Sequence, residues 1–570
     1  MVCRQIRVLP YGVAGGAVIA LLGSLAGCGT APPQLPAQPL ACAQLQGLQV
    51  AAAQIGLPTQ GAVVTQAQVV AAGGEGVAAL GAYCKLLVDI RPVDGAAPAI
   101  KAQYNLPLQW NGKALMGGGG GYNGTIPSMT GNYAAGPART PVPLAQGYAT
   151  FSSDSGHQAG PSTSRDGSFG VSDEAVRNFS GDALKKTRDV AAQLMAWHYG
   201  KLPQRWYFVG GSTGGREALA VAQRWPRDFD GVIAWYPAWN AAALDLQFGR
   251  ITRALAQPGA YPTQPQRAQL LRSALQTCDH LDGVEDGVVS NTTACNRVFD
   301  PATALVDGKP LRCEGGVAGG EQCLSDAQIT ALKVMDSPIR FQRPLGSGET
   351  QYPGFNVWGS DLGLARGTLQ APTITLLALG TGQPRSPMPL EAPYHSVFWD
   401  QWVRHFVTRD AQFDSLGLDP QKPGAWQARI DALTRLQDVN RTDLSAFRAR
   451  GGKLLMAHGT ADVLVSHRAT RDYYERLVQT MGVAAVRDFA RYYEVPGYGH
   501  AVSAIYNAAW DSLAALDLWV TQGAAPQSPV VEDTLGQPGR SRPLCEYPAW
   551  PRYRGSGDVR AAASFQCVVE

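Results

Sequence analysis

Between residues 100 and 108 the apolar positions Ile100, Ala102, Tyr104, Leu106 and Leu108 alternate with Lys101, Gln103 and Asn105, the period-two pattern of a half-buried strand. Short apolar runs follow at 114–116, 148–152, 206–209, 232–235, 454–457 and 492–495. Several end in glycine, as buried parallel strands tend to do. Leu184, Thr187, Ala191, Leu194, Met195 and His198 share one face at helical spacing. Strands alternating with helices predict an α/β sheet covered on both sides. From 240 to 442 that alternation is lost to helical fragments, four cysteines and the Pro/Gly-rich stretch 380–389. We read 240–442 as an inserted lid domain, and 42–239 with 443–570 as the catalytic domain.

The first 28 residues read differently. Arg4 and Arg7 precede an apolar run that ends in Leu25-Ala26-Gly27-Cys28, a signal peptide closing on a lipoprotein-processing box. Cys28 would then carry the lipid; the plain alternative is an ordinary cleaved signal. Either way the chain is expected to be exported, as a periplasmic or outer-membrane lipoprotein or as a secreted protein. Residues 29–41 form a proline-rich linker. No later run is apolar enough to span a bilayer, so membrane attachment is expected through the anchor alone.

Nucleophile chemistry is signalled by Gly210-Gly211-Ser212-Thr213-Gly214. A serine on a sharp strand-to-helix turn needs small neighbours on both sides. The motif alone would be a plain Gly-rich turn, but the strand at 206–209 precedes it and the helical REALAVAQR at 216–224 follows, which is the context of an α/β-hydrolase fold. That fold orders its triad Ser, acid, His. Among eight histidines, His500 alone stands on a loop after the last apolar strand. The preceding strand, 454–457, leads through His458-Gly459-Thr460-Ala461 to Asp462, the expected acid, with Asp472 as its nearest competitor. The oxyanion needs two amides: Thr213 supplies one, and the glycine-rich segment 116–124 a second. That loop is not followed by Gly-Lys-Ser/Thr, which speaks against a phosphate cradle.

Composition and charge narrow the class. A net charge of +3 over 570 residues, with no basic stretch interleaved with aromatics, gives nucleic acid nothing to bind. Outside Cys3 and Cys28, eight cysteines remain, and an exported protein is expected to pair them. Proximity suggests Cys42 with Cys84, Cys278 with Cys295, Cys313 with Cys323 and Cys545 with Cys567, out of about 105 connectivities. Within 278–288, Asp279, Asp282 and Asp286 lie in a Gly-punctuated loop whose oxygens suit Ca²⁺; a solvated Asp-Gly turn is the alternative, and the spacing is not that of an EF-hand.

The segment 208–238, with VGGSTGGREALAVAQRWPRDFDGVIAWYPA, resembles the tannase and feruloyl esterase family, which includes the bacterial mono(2-hydroxyethyl) terephthalate hydrolases. The resemblance extends to Trp110-Asn111-Gly112 and the glycine run, Gly147-Tyr148, Asp154 to His157, the Cys278 loop, and the segments ending at Asp462 and His500. It implies Ser212, Asp462 and His500 as the triad, amides near Gly121 and at Thr213 as the oxyanion hole, and lid Ca²⁺ held by Asp279, Asp282 and Asp286 with the carbonyls of Val284 and Val288. It further implies hydrolysis of small aromatic esters (galloyl, feruloyl or terephthalate monoester), with Trp399, Trp402 and Arg404 of the lid as recognition candidates that are otherwise lid core and surface charge. Many members tether nucleophile and histidine by a disulfide between the residue before the serine and the residue after the histidine. Here those positions are Gly211 and Ala501, so packing must hold the pair together. The rival readings are a lipase- or peptidase-type serine hydrolase and a non-catalytic binding lipoprotein with this fold.

Overall fold

The computed structural model describes residues 31–364 and 367–569; the signal peptide and Cys28 lie outside them. A ten-stranded mixed sheet organises the chain. Its first four strands, β1 (Gln49–Val50), β2 (Ala62–Val70), β3 (Tyr83–Ile90) and β4 (Ile100–Pro107), pair antiparallel. β5 (Lys113–Gly117), β6 (Ala149–Ser153), β7 (Arg205–Gly211), β8 (Gly231–Trp235), β9 (Lys453–Gly459) and β10 (Ala490–Val495) follow. β4 meets β6 antiparallel, and from β6 the order β6-β5-β7-β8-β9-β10 is parallel throughout. This is the α/β-hydrolase arrangement expected from the sequence.

Burial follows the pairing. β3 alternates buried and half-buried residues, whereas β8 is buried at every position. The pleat sends successive residues to opposite faces: Phe208, Ala234 and Met456 join one apolar cluster, and Tyr207, Val209, Ile233 and Trp235 join the other. The helices α1 (Ala183–Tyr199) and α2 (Thr213–Arg224) contribute Leu194 and Leu219 to the first cluster. α1 stops at Gly200, whose φ of 67° supplies the left-handed cap.

Between β8 and β9 the chain leaves the sheet. This excursion contains α3 (Ala241–Leu255), α4 (Gln264–Cys278), α5 (Asp326–Asp336), α6 (Tyr394–Gln401) and α7 (Gln427–Gln437), with two-residue hairpins between them. Beyond β9, α8 (His467–Met481) precedes β10, and α9 (Ser512–Gln522) brings Leu513 and Leu516 into the second cluster.

Disulfides join Cys42–Cys84, Cys278–Cys295, Cys313–Cys323 and Cys545–Cys567, bonds that belong to an oxidising compartment. Among the described residues no helix is long and apolar enough to cross a membrane. The proline-rich segment differs from a free linker in its second half. Gln34 exchanges two hydrogen bonds of 2.9 Å with the Gln193 side chain, and the Leu40 amide donates to the Trp197 carbonyl at 2.8 Å. Extended, proline-rich backbone leaves its polar groups unpaired internally, and α1 offers them partners.

Candidate active site

β7 ends at Gly211, and Ser212 turns the chain into α2 with φ 62° and ψ −123°. A non-glycine residue there is strained by about 1–3 kcal/mol. The turn is held by Ser212 N–H donating to Trp235 O at 3.1 Å, and by Arg216 N–H donating to Ser212 O at 3.0 Å. A side chain at Gly210 would begin 2.3 Å from Gly214 O, so the elbow closes only on glycine.

The other two members of the triad come from neighbouring loops. His500 Nε2 lies 3.0 Å from Ser212 Oγ, and His500 Nδ1 lies 2.7 Å from Asp462 Oδ2. The two loops are joined by Ala461 N–H donating to Tyr498 O at 3.0 Å. Asp462 is fully buried, and its Oδ1 accepts the amides of Leu464 and Val465, both at 2.8 Å. Burial alone would raise its carboxyl; the adjoining His500 and the hydrogen bonds from His458 and His500 outweigh that and hold it well below the usual carboxylate range. Asp472, the competing acid, makes no contact with His500 among these bonds.

Four supporting residues escaped the sequence reading. His458, read there as the end of a strand, places Nε2 3.2 Å from Asp462 Oδ2 and 2.9 Å from Val465 O. Both partners accept, so Nε2 carries the proton; Nδ1 meets Thr470 Oγ1 at 2.8 Å. Its spacing of four from Asp462 was the available signal. Tyr236 packs edge-on to His500. Glu217, buried on α2, accepts the Gly119 amide at 3.0 Å and Asn123 Nδ2 at 2.7 Å, pinning the glycine loop to the elbow. Burial pushes the Glu217 carboxyl up, partly opposed by Arg216 and those donors.

The glycine loop therefore lies against the nucleophile. Gly214 N–H donates to Gly119 O at 3.1 Å, and Thr213 Oγ1 donates to Gly121 O at 2.7 Å. Gly121 has φ 57°, and a side chain there would begin 2.3 Å from Ser164 O. Gly121, Ser212 and Thr213 line one cavity, walled by Tyr122, Phe179, Phe248, Tyr394 and Phe398. A roomier hollow of about 530 Å³, between Tyr474 and Tyr547, contains none of the triad. Trp399 and Trp402 are buried in the lid, bonded to Ser415 O and Gln437 Oε1, and Arg404 pairs with Asp400. None of the three lines the cavity; their neighbours Tyr394 and Phe398 do.

In the Asp loop, Asp279 Oδ1 and Asp282 Oδ2 are buried without a hydrogen-bond partner among the described residues. Burial and the neighbouring Asp286 and Asp279 push Asp282 up to about 7 against the bonds it accepts. Orphaned, crowded carboxylate oxygens suit a cation. Asp286 is turned elsewhere: Oδ1 accepts the Val288 amide at 3.0 Å, and Oδ2 pairs with Arg542. Among the described residues no three acidic, His or Cys side chains converge on one metal-sized point, so Asp279 and Asp282 fit the expected site better than Asp286 does.

Residues 84–568 match the family model described as tannase and feruloyl esterase. An uncharacterised esterase of Agrobacterium fabrum is 39% identical over 92% of this chain and 93% of its own. The mono(2-hydroxyethyl) terephthalate hydrolase of Piscinibacter sakaiensis is 32% identical over 84% and 82%. The crystal structure of feruloyl esterase B from Aspergillus oryzae superposes with a TM-score of 0.71 at 22% identity, over 89% of this chain and 97% of that one, a likeness of fold. With the family model spanning nearly the whole mature sequence, the chain belongs to the tannase and feruloyl esterase family.

Proposed function

We propose that this chain hydrolyses carboxylic esters of aromatic acids through an acyl-enzyme on Ser212. The observation that carries the reading is the relay from Ser212 Oγ to His500 Nε2 at 3.0 Å and from His500 Nδ1 to Asp462 at 2.7 Å, opening on an aromatic-walled cavity. His500 takes the Ser212 proton as the oxygen attacks the ester carbonyl, and buried Asp462 stabilises the imidazolium. The amides at Gly121 and Thr213 receive the oxyanion. His500 then protonates the departing alcohol. A water, deprotonated by the same imidazole, releases the acid and restores Ser212.

The test is hydrolysis of methyl gallate, methyl ferulate and mono(2-hydroxyethyl) terephthalate by the mature protein beside Ser212→Ala. Cleavage that vanishes in the variant supports the reading. A folded wild type inert on all three and on nitrophenyl acetate would leave the binding-lipoprotein alternative.

Two further assignments belong to this reading. Ca²⁺ would be held by Asp279 and Asp282 with the carbonyls of Val284 and Val288, and by Asp286 where it is released from Arg542; it would neutralise crowded carboxylates and take no part in ester cleavage. Export through the N-terminal signal, with lipid on Cys28, agrees with the four disulfides; Cys28→Ala would move the protein from the membrane fraction to the soluble one.

A further inference from the structure

Ser212 divides its surroundings into two sides. His500 must protonate the departing alcohol, so the alcohol leaves beside the imidazole. The cavity that opens from Ser212 and Thr213 does not have His500 in its wall. It therefore receives the other half of the ester, the acyl group.

The wall of this cavity is mostly rings and aliphatic side chains, and it contains one acid. Asp245, on α3, is 3% exposed and faces the cavity. Its carboxyl meets no hydrogen-bond donor among the described residues, and its environment is set only by burial, the neighbouring Asp438 and the opposing Arg216. An unpartnered acid on the buried face of a helix destabilises the fold and holds nothing in place. Its partner must come from outside the chain.

The surroundings also fix its protonation. Asp438 accepts the Ala242 amide at 2.9 Å and Ser347 Oγ at 2.7 Å, so where one negative charge is shared, Asp438 keeps it. Burial and that neighbour push the Asp245 carboxyl well above its ordinary range. Among the described wall residues Arg216 is the one cation, and it is engaged: its Nη2 donates to Phe179 O at 2.7 Å and its guanidinium stacks over the Phe179 ring.

We propose that Asp245 sets the acyl specificity of this site: as a neutral carboxylic acid it hydrogen-bonds a hydroxyl on the acyl ring and selects against a ring carboxylate. A neutral carboxyl both donates and accepts, and so matches a phenol. A ring carboxylate would bring a second charge beside Asp438 with no free cation to meet it. The assignment rests on the aromatic-ester reading above and separates phenolic acyl groups from terephthalate monoesters within it.

The test uses methyl esters of benzoic and cinnamic acids whose rings carry a hydroxyl, no substituent or a carboxylate. In the wild type, kcat/KM for the hydroxylated ester should exceed that of the unsubstituted one by roughly tenfold or more, and the carboxylated ester should fall below it. Asp245→Leu should bring the hydroxylated-to-unsubstituted ratio close to one; Asp245→Asn, which still donates and accepts, should keep it high. Equal losses on all three esters in Asp245→Leu would overturn the assignment, as would a wild type that cleaves the carboxylated ester as well as the unsubstituted one. The latter measurement decides the matter even if the Leu variant fails to fold. A folded wild type that cleaves no aromatic ester would bring down the aromatic-ester reading and this assignment with it, whereas cleavage without a hydroxyl preference overturns the assignment alone.

Discussion

The ring of Tyr236 lies edge-on against the imidazole of His500, with centroids 4.9 Å apart. The same ring covers Gly211, where an added Cβ would fall 2.6 Å from its carbon atoms. Tyr236 thus occupies the space that a side chain preceding the nucleophile would need. It stands where relatives with the tethering disulfide have sulfur. Gly211→Ala should displace the ring and loosen His500, lowering kcat by roughly tenfold with little change in KM. A Gly211→Cys/Ala501→Cys pair should stay reduced unless Tyr236 is also made small. Steady-state kinetics and thiol titration check both, and a Gly211→Ala enzyme with wild-type kcat would remove Tyr236 from any positioning role.

His458 should matter for rate more than its distance from Ser212 suggests. Its Nε2–H is shared between Val465 O and the oxygen of Asp462 that His500 uses. His458→Ala leaves that oxygen with one donor fewer, a loss of about 1–3 kcal/mol in orienting the acid. We expect kcat to fall by roughly 5- to 100-fold at unchanged KM, with part of the rate recovered in His458→Asn. Matched losses in kcat and thermal stability across both variants would point instead to a packing role alone.

Acidification should destabilise the fold before it protonates Asp462. Burial lowers His157 to about 4 and His395 to about 3, against about 6.5 in an unfolded chain. Both rings stay neutral in the folded state while the unfolded chain takes up protons. Their stabilising contribution is therefore complete above pH 6.5 and is lost as pH falls toward 4 and then 3. Urea midpoints should drop between pH 7.5 and 5, and His395→Leu should flatten that slope. A midpoint that rises on acidification would contradict the sign.

Chelation gives a fourth outcome. If a cation sits on the orphaned oxygens of Asp279 and Asp282, EDTA should lower Tm by several degrees and added Ca²⁺ should restore it. Asp282→Asn should abolish both responses. A Tm indifferent to EDTA and Ca²⁺ would mean that the pair of Asp286 with Arg542 serves in place of a metal.

Local signals made the central strands and the triad legible. Residues 206–209 read as a strand because they are apolar and end in glycine, and β7 runs Arg205–Gly211. Ser212, Asp462 and His500 each follow a strand, so loop position identified them. The parts that stayed hidden depend on contacts between distant segments. Asn123 and Glu217 meet across 94 positions, and Asp286 and Arg542 across 256. Asp245 looked like any polar residue on a lid helix until the fold turned it into the cavity. Trp399 and Trp402 misled in the opposite direction: large aromatics fill cores as readily as they bind ligands, and these two do the former.

The docking of Gln34 onto Gln193 sets a short leash. If Cys28 bears the lipid, the stretch from there to Gln34 reaches roughly 20 Å at most. The enzyme could then neither roam far from the bilayer nor tumble freely above it, and the end of α1 near Trp197 would ride on the membrane side. Such a protein waits for small esters to diffuse to it. It does not travel to an insoluble polymer, so upstream enzymes would have to release soluble fragments first.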